Sequence, residues 1–250
     1  MTAAESLRDV KAIAALIDHT LLKPEATTDD IARVLNEARA CEFASVCLNP
    51  YWVSFAAHEL AGSPVRVSTV IGFPLGANST HVKLFEADLA LSDGAQELDM
   101  VQNIGALRSG EFTSVGREIS QIAELAHSRG AILKVILETC LLTEEEKITS
   151  CQLAVEGNAD FVKTSTGFSV SGANVDDVRL MRKNVGDSVG VKASGGIRSL
   201  DILRQLVLAG ANRIGTSSGV KILGEIKEGG SPDYEGASPS TATDDRPDPY

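Results

Sequence analysis

The sequence predicts a single-domain α/β protein: a (β/α)8 TIM barrel with a short N-terminal helix and a flexible C-terminal tail. Three observations predict it. Eight β-rich runs recur along the chain, and most are followed by an amphipathic helical pattern. Strands that alternate with single helices run parallel, because a helical crossover returns the chain to the same end of the sheet. Eight such strands within about 200 residues fit a closed barrel better than an open sheet. The open, doubly wound rival carries a GxGxxG turn after its first strand, and none follows residue 22 or 48.

The strands are read at 15–22 (ALIDHTLL), 43–48 (FASVCL), 65–73 (VRVSTVIGF), 95–101 (AQELDMV), 131–138 (AILKVILE), 159–165 (ADFVKTS), 189–194 (VGVKAS) and 212–217 (NRIGTS). Four helices have clear start signals. Thr28-Asp29-Asp30 precedes IARVLNEARAC, and Ser79 or Thr80 precedes HVKLFEADLALSDG. Thr143 with Glu144–Glu146 has the capping-box pattern before KITSCQLAVEGN, and Ser199 with Asp201 precedes ILRQLVLAG. Gly94 and Gly210 close two of these helices at positions that suit a left-handed cap. Residues 1–228 are assigned to the barrel. Residues 229–250 hold four of the eight prolines, are rich in Ser, Thr and Asp, and lack apolar periodicity, which predicts a flexible tail.

Composition narrows the function. A net charge of −11 argues against a nucleic-acid partner, which needs a basic face, but leaves room for a small anionic substrate in a locally basic pocket. Cys41, Cys47, Cys140 and Cys151 form no CxxC pair and have no His at zinc-finger spacing. Neither a structural metal nor a disulfide framework is expected. Glu5, Arg8, Asp9 and Lys11 interrupt what would be the apolar part of a secretory signal, and no apolar run approaches the roughly 20 residues of a membrane helix. The expectation is a cytoplasmic protein that does not engage a membrane.

In such a barrel, catalytic groups sit at the C-terminal ends of strands. There the sequence places Asp18, Cys47, Asp99, Lys134, Glu138, Lys163 and Lys192. Lys and Asp are among the residues least often buried without a partner, so several strands carrying one each resist explanation by packing. A structural ion pair or a snorkelling side chain is the plain alternative for any one of them. Cys47 also reads as a small buried hydrophobe, and Lys134 and Glu138 as a supporting pair for each other or for neighbours. Lysine attacks a carbonyl only as the neutral amine, and burial and a nearby cation both favour that form. Lys192, one strand from Lys163, supplies the cation. An activated Lys163 forms a Schiff base with an aldehyde or ketone, and the protonated imine is an electron sink for breaking or forming an adjacent C–C bond. Asp99 is placed for the proton transfers.

The turns STG (165–167), SGGIRS (194–199) and GTSSG (215–219) end the last three strands. Small residues there let backbone N–H groups approach an anion, and a phosphate site after strands seven and eight recurs in this fold. Arg198 adds charge or is simply a solvated helix-start residue.

LIDHTLLKPEAT, SVCLNP, VIGFPLG, ELDMV, LKVILET, DFVKTSTGF, VKASGGIR and IGTSSG occur in order from about residue 12 to 224. In these motifs the chain resembles the deoxyribose-phosphate aldolase family of class I aldolases. The resemblance implies reversible cleavage of 2-deoxy-D-ribose 5-phosphate to acetaldehyde and D-glyceraldehyde 3-phosphate, with no cofactor or metal, in a homodimer. It implies roles for Lys163 as Schiff-base lysine, Lys192 as its perturbing cation, Asp99 as proton-transfer group and Asp18 as the residue orienting Lys192. Thr166, Gly167, Gly195, Gly196, Gly215, Ser217 and Ser218 match the family's phosphate-binding turns. Two departures stand out. Phe168 occupies a position that is basic in some members. The tail tyrosine that assists proton transfer in some members is Tyr234, at the more usual distance from the last strand, or the terminal Tyr250. Two other classes stay open: a barrel isomerase using Asp18 and Asp99 without a covalent lysine, and a non-enzymatic sugar-phosphate sensor.

Overall fold

The computed structural model describes residues 7–227. The eight strands are β1 (Ile17–Leu21), β2 (Ser45–Leu48), β3 (Arg66–Ile71), β4 (Glu97–Val101), β5 (Ile132–Ile136), β6 (Phe161–Lys163), β7 (Gly190–Ser194) and β8 (Arg213–Thr216). They pair in parallel, in sequence order, and β8 closes on β1. A short helix, α1 (Val10–Ala14), precedes β1, capped by Asp9. The helices that follow are α2 (Thr28–Cys41), α3 (Val53–Glu59), α4 (Thr80–Ser92), α5 (Ile104–Arg108), α6 (Phe112–Ser128), α7 (Glu144–Glu156), α8 (Val175–Val185), α9 (Leu200–Leu208) and α10 (Gly219–Lys227). The expected tail, with Tyr234 and Tyr250, lies outside the described residues.

The strands are buried on both faces because helices cover the outside and side chains fill the inside. Ile31, Leu35, Ile119, Ile122, Leu203 and Ile222 carry the helix faces into the main core against strand residues such as Val46, Leu98, Val135 and Ile214. Two helix starts follow the capping-box logic. Thr143 accepts from the Glu146 backbone while the Glu146 carboxylate returns to the Thr143 N–H at 2.8 Å. In α2 the cap is Thr27, one residue earlier than the sequence suggests, because Asp30 reaches back to the Thr27 N–H at 3.0 Å. Gly94 and Gly210 have φ of +104° and +119°, so both helices do end on residues that need positive φ.

Several strands stop short of their predicted ends for a local reason. β3 ends at Ile71 because Gly72 turns to φ +63°, and β5 ends at Ile136, two residues before Glu138 at φ +56°. The longest helix, α6, has no start signal in the sequence: its N-cap, Glu111, makes no side-chain cap bond.

Candidate active site

The register decides which charges meet. Lys163 of β6 lies opposite Lys192 of β7, and Asp99 of β4 opposite Lys134 of β5. Paired residues of parallel strands project to the same side, here the barrel interior. Asp99 Oδ2 accepts from Lys163 Nζ at 2.9 Å and from Lys192 Nζ at 2.7 Å, and its Oδ1 accepts from Lys134 Nζ at 2.7 Å. Ser68 donates to the same Oδ1 at 3.3 Å. On the other side, Asp18 Oδ2 lies 2.6 Å from Lys192 Nζ, while Asp18 Oδ1 accepts from Arg213 and Ser45 at 2.6 and 2.7 Å. Glu97 completes the layer, 2.7 Å from Lys134 Nζ and held by two guanidinium nitrogens of Arg213 at 3.2 Å. The Arg213 guanidinium also lies over the Phe161 ring, 5.6 Å from its centroid.

Apart from Arg66, a solvent-exposed side chain 3.8 Å from Glu97, this network contains three carboxylates, Asp18, Glu97 and Asp99, and four basic groups, Lys134, Lys163, Lys192 and Arg213. Moving a charge out of water costs several kcal/mol per ion unless partners compensate. The set is neutral when one amine is uncharged. Lys163 is the amine biased toward that form: burial lowers its pKa first, Lys192 pushes the same way, and Asp99 only partly opposes them. Lys192 behaves oppositely. Burial works against its charge, but Asp18 and Asp99 together overcome that and raise its pKa. Lys134 is also raised, by Asp99 and Glu97 against its burial. Asp99 feels the cost of burial too, yet Lys134, Lys163 and Lys192 hold it well below the usual carboxylate range. The arrangement therefore sets an amine biased toward its neutral form beside an ammonium on one anionic oxygen, a combination that suits attack on a carbonyl and loss of water from the adduct. Of the three interior lysines, Lys163 alone retains any exposure, 2% against 0% for the others.

Above this layer, a cavity of about 590 Å³ opens among the turns after β1, β6, β7 and β8. Of the residues read as phosphate-binding, Gly167, Gly195, Gly196, Arg198, Ser217 and Ser218 line it. The turns approach closely: a Cβ on Gly172 would meet the Gly195 carbonyl oxygen at 2.2 Å, and Gly195 itself has φ +91°. Thr166 and Gly215 do not line the cavity. The Thr166 hydroxyl donates to Glu138 in a short bond, and its N–H donates to the same carboxylate at 3.2 Å. Gly215 packs on the catalytic layer, where a Cβ would lie 3.1 Å from Lys192 Cε and 3.0 Å from Ser194 Cβ.

Lys134 and Glu138 do not pair with each other. Lys134 serves Asp99 and Glu97, whereas Glu138 serves Thr166. Cys47 is fully buried with Leu22 and Val70 in a small apolar cluster that Phe73 and Phe168 pack against, and burial followed by Asp99 raises its thiol pKa. It sits beside the charged layer without a bond to it. Sequence reasoning missed Glu97, Arg213, Ser45 and Ser68. A signal existed for the first two: Glu97 is two residues before Asp99, and Arg213 two before Gly215, so each shares the inward face. Lys23 and Arg33, which also line the cavity, come from the β1–α2 segment, where no strand period marks them. Among the described residues, no group of three His, Cys, Asp or Glu side chains gathers that could hold a metal ion.

Comparison with known proteins agrees with this geometry. A family model described as DeoC/LacD family aldolase matches residues 12–225. The deoxyribose-phosphate aldolase of Thermococcus gammatolerans is 58% identical over 213 residues, covering 84% of this chain and 95% of that one. The deoxyribose-phosphate aldolase of Bacillus cytotoxicus is 52% identical over 222 residues, covering 89% and 99%. Among solved structures, the tetrameric deoxyribose phosphate aldolase of Aeropyrum pernix superposes with a TM-score of 0.84 at 38% identity, covering 90% of this chain and 95% of that chain. With one family model spanning all eight strands and relatives matched over nearly their whole length, the chain belongs to the DeoC/LacD family of aldolases.

Proposed function

We propose that this chain catalyses the reversible cleavage of 2-deoxy-D-ribose 5-phosphate to acetaldehyde and D-glyceraldehyde 3-phosphate through a Schiff base on Lys163. One observation carries the assignment of roles: the amino groups of Lys163 and Lys192 share one oxygen of Asp99, at 2.9 and 2.7 Å. The neutral Lys163 amine attacks C1 of the open-chain sugar. Water leaves, and the nitrogen becomes a protonated imine. The C3 hydroxyl passes its proton to Asp99 as the C2–C3 bond breaks, and the electrons of that bond pass into the imine to give an enamine. Glyceraldehyde 3-phosphate departs. Protonation at C2 and hydrolysis then release acetaldehyde and restore the amine.

Asp99 relays protons between the two nitrogens and keeps them together. Lys192 remains the cation that prevents Lys163 from charging, and Asp18 anchors Lys192 with Arg213 behind it. The phosphate occupies the cavity bounded by Gly167, Gly195, Gly196, Ser217 and Ser218, with Arg198 on its rim. Cys47 and Lys134 serve as surrounding groups, one apolar and one a charge partner of Asp99. Tyr234 is assigned to late proton transfer on the family resemblance. We assign residues 1–228 to the barrel and place the protein in the cytoplasm as a homodimer. The buried thiols of Cys47 and Cys151 suit a reducing compartment. Val82, Phe85 and Leu89, exposed one turn apart along α4, suit a contact between copies.

The test is reductive trapping. Borohydride reduction in the presence of acetaldehyde, followed by peptide mass mapping, yields an ethyl group on Lys163. An unmodified Lys163, or turnover retained in Lys163→Met, rules out the covalent mechanism.

A further inference from the structure

The charges around the cavity are not evenly committed. Three basic residues line it: Lys23, Arg33 and Arg198. Two acidic residues, Glu25 and Asp30, line it as well. Arg33 is spent on its own helix, donating to Glu37 at 3.0 Å and lying 3.7 Å from Asp30. Asp30 is spent on the capping box, accepting from the Thr27 N–H and hydroxyl at 3.0 and 2.7 Å. Lys23 and Arg198 differ: neither side chain has an ion-pair or hydrogen-bond partner among the described residues. Glu25 is likewise unpartnered. The turn after β6 brings no cation to the cavity, because Phe168 follows Gly167 and packs edge-on to Phe73 at 5.3 Å. The cavity thus has two uncommitted cations, Arg198 from the turn after β7 and Lys23 from the turn after β1, the two strands that flank β8.

We infer that Lys23 is a specificity-determining residue of this site: its ammonium meets the phosphate group of the substrate from the β1 turn, together with Arg198 from the β7 turn, and selects phosphorylated over free sugars. The inference rests on the phosphate reading of the cavity given above. Its physical basis is simple. Backbone amides and hydroxyls hydrogen-bond a phosphate but bring no net charge, whereas a phosphate near neutral pH carries between one and two negative charges. A compact ammonium on a flexible stem is suited to a charge that is not read by shape. Glu25 sets the limit on the gain, since its carboxylate on the same turn repels the same ligand.

The experiment measures kcat and KM for 2-deoxyribose 5-phosphate and for 2-deoxyribose in the full chain and in Lys23→Gln, Lys23→Arg, Glu25→Gln and Arg198→Gln. For the phosphate ester, Lys23→Gln raises KM about tenfold and leaves kcat within about twofold. For the free sugar it leaves kcat/KM unchanged. Lys23→Arg retains the preference, and Glu25→Gln lowers KM for the ester. Because the rim is exposed, the Lys23→Gln defect narrows at high salt. A Lys23→Gln variant that affects both sugars equally, or neither, while Arg198→Gln still separates them, overturns the role of Lys23 alone. If neither variant separates the two sugars, the phosphate reading of the cavity falls with it.

Discussion

Replacing Lys192 with Met removes a cation and keeps a side chain of similar length, so it isolates the electrostatic coupling to Lys163. Both amines contact Asp99 Oδ2, at 2.9 and 2.7 Å, so their separation cannot exceed the sum of those lengths. Two unit charges at that separation repel by about 3 kcal/mol in an effective dielectric of 20. A free energy of that size corresponds to about a hundredfold change in the fraction of neutral amine. The sign follows from the network: without Lys192, three carboxylates face Lys134, Arg213 and Lys163, and the layer is neutral only with Lys163 charged. The Lys163 pKa therefore rises, and the limb of the kcat/KM–pH profile that reports amine deprotonation moves to higher pH. Activity at neutral pH falls about a hundredfold and partly recovers in alkali. Borohydride trapping follows the same shift, and circular dichroism checks that the variant folds. A Lys192→Met enzyme with reduced activity and an unmoved alkaline limb refutes the coupling.

Three further outcomes follow from particular contacts. Gly215→Ala puts a methyl 3.1 Å from Lys192 Cε and 3.0 Å from Ser194 Cβ; overpacking of this kind costs about 1–3 kcal/mol, so both thermal midpoint and kcat fall, with KM for the ester little changed. Away from the site, Lys83 is fully buried and bonds Glu118 at 2.7 Å and the Val101 carbonyl at 2.8 Å. Lys83→Met alone strands the Glu118 carboxylate and costs about 3–5 kcal/mol in urea denaturation, whereas Lys83→Met with Glu118→Leu recovers most of that loss. Asp18 and Asp99 both have pKa values held below the unfolded range by their lysine and arginine partners. Their contribution is present above about pH 4 and is lost as acid protonates them; the denaturation midpoint therefore falls in acid, and less steeply in Asp99→Asn, which starts lower.

Much of this molecule is legible before any coordinates. Parallel topology follows from the alternation of strands and helices, because no other arrangement buries both faces of such strands. Lys163, Lys192, Asp99, Asp18 and Lys134 stand out because charge inside an apolar strand demands a partner, and the barrel brings all five into one layer. Strand ends are less legible, since positive φ at Glu138 is a property of tertiary context rather than of glutamate. Gly215 shows the same limit. Its motif reads as part of an anion-binding turn, but whether a glycine makes room for a ligand or for a neighbouring lysine depends on register, which pairs Gly215 with Ser194. Lys23 lies in a loop with no period to mark it, and only its place on the cavity and its lack of a partner single it out.

Charge balance also bears on the chemistry after the amine has reacted. With Lys163 neutral, Asp18, Glu97 and Asp99 match Lys134, Lys192 and Arg213. A protonated imine on Lys163 brings the layer one positive charge above neutrality. Withdrawing the C2–C3 bonding electrons into the imine removes the positive charge from the nitrogen that stands beside Lys192, so the surroundings favour the enamine over the iminium, and bond cleavage gains from a field set before substrate arrives. Glu97 tests this reasoning because it belongs to the balance through Lys134 and Arg213 and makes no bond to Lys163 or Lys192. Glu97→Gln leaves two carboxylates against the same three cations. The excess makes a charged Lys163 less favourable still, so the alkaline-activation limb moves to lower pH, opposite in direction to Lys192→Met. Arg213, which loses one of two acceptors at 3.2 Å, keeps Asp18 at 2.6 Å and stays in place. Single-turnover measurements below neutral pH show faster imine formation in Glu97→Gln than in the parent enzyme. A limb that moves upward, in step with Lys192→Met, shows that the two substitutions act by loosening the layer and that charge balance does not set the reactivity of Lys163.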